Sequence, residues 1–236
     1  MEAIVVGIVI FAATILICIL IIKPRKKTQE TQEVIDIPRL EDGMKLATGD
    51  TLYWYQGVPV KCQQSSNSIW KVGQFRREGY SSNRDDTITL LENGERKLIV
   101  KVYEGASVKA LCVANNGTFV FSAHHDPDVR MGGIVVLNKD QKEVFKVESS
   151  TNLISSSISD NAQYLALSFA GSYDKTDPHA EKVEVFDITT GEVVTSINKT
   201  NDIRYADIVV TEPNGDVLAY LNDEYIGLIR AGTHQD

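Results

Sequence analysis

Cysteine is scarce in this chain of 236 residues, which contains three of them. Cys18 lies inside a long apolar run, so Cys62 and Cys112 are the two cysteines that remain for the rest of the chain. A small secreted domain that is held together by disulfides would carry more cysteines. The sequence therefore excludes a disulfide framework and is consistent with a reducing compartment.

Outside one short segment, basic residues are outnumbered by acidic ones. Of the 24 Lys and Arg, four lie within residues 23–27, and of the 32 Asp and Glu, one precedes residue 28. The remaining 20 basic and 31 acidic residues give residues 28–236 a net charge of −11. A protein that contacts nucleic-acid phosphates needs a basic surface. We therefore expect no nucleic-acid partner.

The motifs of common catalytic and nucleotide-binding sites are also absent. The sequence contains no Gly-x-Gly-x-x-Gly, no Gly-x4-Gly-Lys-Ser/Thr, no His-Glu-x-x-His, no Gly-x-Ser-x-Gly and no Cys-x-x-Cys. A formal Ser-x-x-Lys match at 68–71 lacks the companion motifs of that enzyme class. The sequence thus favours a protein that is not an enzyme, and it predicts no catalytic residue.

An uncharged apolar run occupies residues 3–22. A helix rises 1.5 Å per residue, so this run would span about 30 Å, the thickness of the hydrocarbon core of a bilayer. A cleaved signal peptide would need a basic start, a shorter apolar core and a small-x-small cleavage site, whereas Glu2 precedes this run and Lys23 ends it. We predict an uncleaved single-pass anchor over residues 1–22 that contacts the lipid bilayer through residues 3–22.

The charges that flank this run predict its orientation. Four basic residues lie within 23–27, against the single Glu2 on the other side, and the positive-inside bias then places the C-terminal domain in the cytoplasm. An extracytoplasmic domain is the alternative, which the sequons at 116–118 and 198–200 would suit. Residues 23–49 are predicted to be a basic stop-transfer flank and a polar linker. They lead to a domain over 50–236.

The domain has the pattern of a repeated β structure. Short alternating runs rich in Val, Ile, Tyr, Phe and Thr, separated by Gly, Asn and Asp turns, are typical of strands. Turns followed by strands recur around Asn116, Asn161 and Asn214, at spacings of 45 and 53 residues. A second series of polar turns interleaves with the first, so one repeat is a four-stranded unit of the size of a propeller blade. The second series comprises Leu91–Glu95, Leu137–Gln141 and Ile188–Glu192.

One repeat resembles a known family. Val183–Val194, with Ser159–Asn161 as the turn after the first strand of the same repeat, resembles a WD40-like or YVTN-type β-propeller blade. Asp187 lies close to the acidic strand-end position of that family. The Gly-His and Trp-Asp dipeptides of regular WD40 repeats are absent, so the resemblance concerns architecture. It implies an all-β fold, a small four-blade or partial β-propeller, with an irregular β-sandwich as the alternative. Together with the apolar run over residues 3–22, the predicted architecture is this β domain preceded by a single transmembrane α-helix.

The number of blades follows from the repeat length. Roughly 180 residues at this repeat length give about four blades, and closed propellers have four to eight. The last repeat, residues 203–230, supplies three strands, and Leu52–Tyr55 is a candidate for the fourth strand that would close the ring. A partial ring would instead leave open edges that another subunit or a protein partner would cover, so a homo-oligomer is a further possibility.

Two long loops between the second and third strands of adjacent repeats contain candidate metal ligands. Equivalent loops lie on one face of a propeller, and imidazoles with carboxylates suit a divalent metal. The same residue types are also ordinary turn formers, and both interpretations stay open. No other cofactor is predicted. The candidate ligands are His124, His125, Asp126 and Asp128 in one loop, and Asp174, Asp177 and His179 in the next.

These observations favour a non-catalytic function. Rigid blades with variable loops provide a surface for other molecules, and function resides in such loops. The first hypothesis is a membrane-anchored docking or sensing module that binds another protein. The alternative is a metal-dependent hydrolase or a small-ligand-binding propeller that uses the loops of His124 and Asp177.

Overall fold

The structure is a computed structural model that describes residues 41–45, 51–55, 58–76, 86–92, 95–101, 107–124, 132–172 and 174–234. The predicted anchor over residues 1–22 lies outside these ranges. Within them, no helix has the length and apolar character needed to cross a membrane. Membrane anchoring therefore stays a prediction.

The described residues form 17 strands in four antiparallel sheets, in which each strand pairs with its neighbours in sequence. The first sheet contains β1 (Glu41–Lys45), β2 (Thr51–Tyr55), β3 (Val58–Gln64), β4 (Trp70–Arg76), β5 (Asp86–Glu92) and β6 (Glu95–Lys101). The second contains β7 (Ser107–Val113), β8 (Phe119–His124), β9 (Gly132–Leu137) and β10 (Glu143–Ser149). The third contains β11 (Leu153–Ile158), β12 (Tyr164–Phe169), β13 (Lys182–Asp187) and β14 (Val193–Asn198). The fourth contains β15 (Asp207–Val210), β16 (Val217–Leu221) and β17 (Glu224–Ile229), and a 3-10 helix, Asn201–Ile203, precedes it.

These sheets form a four-blade β-propeller arrangement, so the all-β prediction is confirmed. Apolar clusters lie between consecutive sheets, with Phe119 between the first and second, Phe169 between the second and third, and Val185 between the third and fourth. The middle two sheets thus bury side chains on both faces. This explains why β9 and β12 are nearly continuous apolar runs, because a strand that is buried on both sides needs no polar face.

Four equivalent turns connect β3 to β4, β7 to β8, β11 to β12 and β15 to β16. The structure places the predicted turns of Asn116, Asn161 and Asn214 at equivalent positions and adds Asn67 to the series. In each turn, the residue after the asparagine has a positive φ, a conformation that short polar turns tolerate and glycine adopts without strain. The residues are Ser68 (62°), Gly117 (83°), Ala162 (59°) and Gly215 (77°).

Hydrogen bonds join each of these turns to the next. Oδ1 of Asn115 accepts a bond from the amide of Asn67 at 2.9 Å, and the amide of Asn115 donates to the carbonyl of Asp160 at 2.9 Å. The amide of Asn161 in turn donates to a carboxylate oxygen of Glu212 at 2.6 Å. These bonds fix the spacing of the four sheets along one face of the propeller.

Two details of the first sheet differ from the predictions. Leu52–Tyr55 is a candidate from the sequence for the strand that completes the last repeat, but β2 pairs with β1 and β3 inside the first sheet. Strand β1 lies within residues 23–49, which the sequence suggested to be linker.

Among the described residues, extensive contacts link the first sheet to the second, the second to the third and the third to the fourth, and none of similar extent links the fourth to the first.

Candidate functional site

The β12–β13 loop contains three of the predicted metal ligands, and Asp177 ties this loop to the connection between the second and third sheets. Oδ2 of Asp177 accepts hydrogen bonds from the hydroxyls of Ser149 at 3.0 Å and Ser150 at 2.7 Å. Oδ1 accepts the amide of His179 at 2.9 Å. Although partial burial raises the pKa of Asp177, these bonds together hold it below its usual value. Both oxygens of this carboxylate therefore accept hydrogen bonds that hold the loop in place.

His179 forms a largely buried pair with Glu184 of β13. Nδ1 of His179 lies 2.6 Å from Oε2 of Glu184, and the hydroxyl of Ser196 donates to the other carboxylate oxygen at 3.2 Å. The imidazole stacks on Phe169, with 5.1 Å between ring centroids. The hydrogen bond to Glu184 raises the pKa of His179, although burial opposes the shift. A carboxylate inside an apolar sheet is tolerated because both of its oxygens have partners.

The remaining candidate ligands are placed as follows. Asp174 accepts bonds from the amide and hydroxyl of Thr176 at 2.8 and 2.6 Å, a local turn. His124 is the last residue of β8, and His125, Asp126 and Asp128 lie outside the described residues. Among the side chains that the structure describes, no group of three or more His, Cys, Asp or Glu is arranged to hold a metal ion. The divalent metal stays a prediction.

The pair of His179 and Glu184 predicts a pH dependence of stability. Because the pKa of His179 is higher in the folded chain than the unfolded value of about 6.5, the pair stabilises the fold fully below that value. This stabilisation is lost as the pH rises through the folded pKa. We expect the free energy of unfolding of the wild type to fall relative to that of His179→Gln between pH 6 and pH 8, as measured by urea denaturation.

Matched variants check this assignment. Glu184→Gln removes the partner of His179. The free energy of unfolding of the wild type should therefore also fall relative to that of Glu184→Gln between pH 6 and pH 8. His234→Gln changes an exposed histidine near the end of the described residues, and its pH profile should follow that of the wild type. A His179→Gln profile parallel to that of the wild type would contradict the prediction.

Neither described cysteine has the environment of a nucleophile. Burial raises the pKa of the Cys62 thiol to about 12, against a smaller opposite effect of Lys71. Burial likewise raises the pKa of Cys112 to about 12, against a hydrogen bond with Ser156. Reactive cysteines need a lowered pKa and access to solvent. Both thiols therefore act as small core side chains.

The fourth sheet has one covered face and one exposed apolar face. Ile208, Val210, Val217 and Ile229 pack against the third sheet. The alternate residues of the same strands point away from it, and three of them form a row across the sheet, since Val209 pairs with Leu218 and Leu218 pairs with Leu228. Tyr220 and Tyr225 pair beside this row. We call Val209, Leu218, Tyr220, Tyr225 and Leu228 the open face.

The open face is unusually exposed for residues of this type. Val209 is 45% exposed, Tyr225 is 58% exposed and Leu228 is 37% exposed. The rings of Tyr220 and Tyr225 meet edge to face with centroids 6.0 Å apart, which fixes them before any partner binds. Contiguous exposed apolar surface commonly marks an interaction site. This surface was not predicted from the sequence. The apolar run Ile208–Val210 by itself is typical of a strand that is covered on both sides.

Acidic residues lie at the hairpin end of the open face. Asp207 pairs with Tyr220 in the register of β15 and β16, and the β16–β17 hairpin contributes Asp223 and Glu224. Residues 201–234 contain six Asp and Glu and two Arg, and no Lys. Arg230 is paired with Asp216 at 3.2 Å. Negative charge therefore lies beside the tyrosine pair, at one end of the apolar row.

Comparisons with known proteins find similarity to solved structures at low sequence identity. No protein-family model and no curated protein matches the chain. Among solved structures, it resembles the mitotic checkpoint complex (11% identity, 82% of this chain, 63% of that chain, TM-score 0.47). It also resembles the WD40 domain of Toxoplasma gondii coronin (9% identity, 85% of this chain, 55% of that chain, TM-score 0.46).

A third similar structure is the WD40 domain of Neurospora crassa Pan2 (11% identity, 72% of this chain, 48% of that chain, TM-score 0.38). The similar structures include WD40 domains. This chain spans less than two thirds of the length of each of these three proteins. At these identities, the likeness concerns the fold alone.

Proposed function

We propose that this protein is a membrane-tethered, non-catalytic docking module that binds another protein through the open face of the fourth sheet. The observation that carries the proposal is the exposed row of Val209, Leu218 and Leu228 beside the tyrosine pair. In the second and third sheets, both faces are covered by neighbouring sheets. The open face is as apolar as these covered faces, but no neighbouring sheet of the described residues covers it.

Burial of this face would provide the binding energy. Fully burying a large apolar side chain contributes about 1.5–3 kcal/mol, and tyrosines are over-represented among the residues that dominate interfaces. Because Tyr220 and Tyr225 are held against each other, little side-chain entropy is lost when a partner covers them. The face is therefore suited to a specific contact.

The neighbouring charge indicates the chemistry of the partner. An apolar strip that has Lys and Arg at one end would complement Asp207, Asp223 and Glu224. A symmetric contact with a second copy of the chain would bring the same carboxylates together, which disfavours self-association. The proposed partner is accordingly a different protein with basic residues at one end of its contact surface.

The tether is proposed from the sequence. The apolar run over residues 3–22 has the length of a membrane span, and the basic residues within 23–27 favour a cytoplasmic domain. The acidic domain would be repelled by an anionic inner leaflet. This repulsion would leave the open face accessible to a partner from the cytoplasm.

A crosslinking experiment with the full chain tests the proposal. Photoreactive p-benzoylphenylalanine in place of Tyr225 should crosslink to one different protein in intact cells, whereas the same group in place of exposed Asp140, on the second sheet, should not. The crosslinked protein is then identified by mass spectrometry, purified and titrated against the full chain. Leu228→Glu should weaken its binding at least tenfold, and added salt should weaken it further.

Val144→Glu is the matched control, because Val144 is a strand residue of the second sheet with 38% exposure, against 37% for Leu228. Its affinity should stay within about twofold of the wild type, and thermal denaturation should show both variants folded. Equal affinities of Leu228→Glu and the wild type would overturn the proposal. Crosslinks between copies of this chain alone would replace it with self-association.

A further inference from the structure

A small cavity lies beside the third sheet, where β12 and β14 end. Its volume is about 160 Å³, which is well below the size of pockets for drug-sized ligands, about 300–1,000 Å³. Apolar, charged and aromatic side chains meet in it. The lining includes Ile154, Ala170, Glu181, Lys199, Arg204 and Tyr205.

Lys199 is the central group of this cavity. Its ammonium donates hydrogen bonds to the hydroxyl of the fully buried Ser168 at 3.3 Å and to the carbonyl of Arg204 at 3.1 Å. Its backbone amide donates to the carbonyl of Glu181 at 2.8 Å, which fixes the main chain. An ammonium has three donors, so one remains for a ligand. Among the ion pairs of the described residues, none includes Lys199.

The surroundings of Lys199 make its positive charge costly without a counter-ion. Burial lowers its pKa to about 8, an effect that Glu181 opposes and Arg204 reinforces. These are the charged groups that face it. An anion beside the ammonium would restore the interactions that burial removed and would favour the protonated lysine.

The balance of charges indicates a single negative charge on the ligand. Lys199 and Arg204 contribute two positive charges, and Glu181 contributes one negative charge through its pair with Arg204 at 3.1 Å. The net positive charge of one matches a monoanion, whereas Glu181 would repel a dianion such as sulfate. Ile154 and Ala170 provide an apolar wall.

We infer that this cavity binds a small organic monocarboxylate, with the carboxylate at the ammonium of Lys199 and the organic part against Ile154 and Ala170. Tyr205, which is 67% exposed and lies beside the guanidinium of Arg204 with 5.8 Å between ring centroid and Cζ, borders the entrance. The site is separate from the open face. It would make the module responsive to a small metabolite.

A ligand titration of the full chain tests this inference. Butyrate is the probe, and its binding is followed by saturation-transfer NMR at pH 7. Inorganic sulfate, a dianion at this pH, is the second arm and is measured by its displacement of butyrate. Butyrate should bind saturably and more tightly than sulfate. Lys199→Met keeps the length of the side chain and should weaken butyrate binding tenfold or more, since a charge-assisted hydrogen bond is lost.

Further variants separate this site from nonspecific binding of anions. Lys142→Met removes an exposed lysine in a turn of the second sheet and should leave the affinity for butyrate unchanged. Glu181→Gln should tighten binding several-fold, because it removes the repulsive charge. For the wild type, affinity should decline as the pH rises through about 8, when Lys199 loses its proton.

Three results would overturn the inference. These are no saturable binding of butyrate, equal affinities of Lys199→Met and the wild type while thermal denaturation shows both folded, or tighter binding of sulfate than of butyrate.

Discussion

Replacing Phe169 with alanine should lower the free energy of unfolding by about 3–5 kcal/mol. Phe169 is fully buried in the cluster between the second and third sheets, and its ring stacks on His179 at 25° between planes. The substitution removes the ring from a close-packed core and leaves a cavity that the strands of two sheets cannot collapse into. Urea denaturation of the full chain measures the loss.

The position of Phe169 makes this substitution costly for a second reason. It is the last residue of β12, and the β12–β13 loop follows it. The ring is therefore the support on which the pair of His179 and Glu184 rests. Phe169→Leu keeps most of the volume and should cost less, about 1–1.5 kcal/mol. A loss below 1 kcal/mol for the alanine variant would contradict the burial described for this ring.

Replacing Gly117 with alanine should lower the free energy of unfolding by about 3 kcal/mol. The φ of Gly117 is +83°, and a left-handed conformation costs a residue with a Cβ roughly 1–2 kcal/mol. A Cβ at this position would also lie 2.9 Å from Cε2 of the buried Trp70 and 3.1 Å from Cβ of Lys139. Overpacking of this kind adds about 1–3 kcal/mol.

Gly232 provides a matched control for the two contributions. Its φ is +77°, and a Cβ there would meet no atom within 4 Å. Gly232→Ala should therefore cost about 1–2 kcal/mol, which is the backbone contribution alone. The difference between the two variants measures the contact with Trp70. Equal losses would show that Trp70 moves aside without cost.

The recurrent turns could be predicted because their chemistry is local. An asparagine that accepts the amide two residues later, as Asn161 does from Gln163 at 2.8 Å, is written within a few residues of sequence. Asn67, which is followed by Ser68, was not among the predicted turns, although Asn161, which is followed by alanine rather than glycine, was. The sequence around Asn67 nevertheless shares one feature with that around Asn161, a serine two residues earlier. The hydroxyl of Ser65 donates a hydrogen bond to Asn67, as that of Ser159 does to Asn161.

Features that depend on contacts between sheets could not be predicted. The sequence is compatible with Leu52–Tyr55 pairing with the last repeat or with the first, and long-range packing decides between them. Strand β1 has the polar sequence Glu-Asp-Gly-Met-Lys and pairs at the edge of its sheet, where charged residues are common. A polar composition of this kind also describes a linker.

The candidate site shows the same division. The turn at Asp174 is formed by neighbouring residues, so turn formation could be considered from the sequence. The pairing of His179 with Glu184 instead depends on the β12–β13 loop folding back over the sheet. The cavity at Lys199 depends on the 3-10 helix that follows β14. Neither arrangement has a sequence motif, because each joins residues from separate elements.

The order of strands has a consequence for how the chain folds. Every sheet is built from strands that are consecutive in sequence, so loop-closure entropy is small for each pairing and a sheet can form as soon as its last strand leaves the ribosome. Each completed sheet then offers the surface on which the next one condenses. Among these four sheets the fourth is synthesised last, and no further sheet of the described residues condenses on its open face.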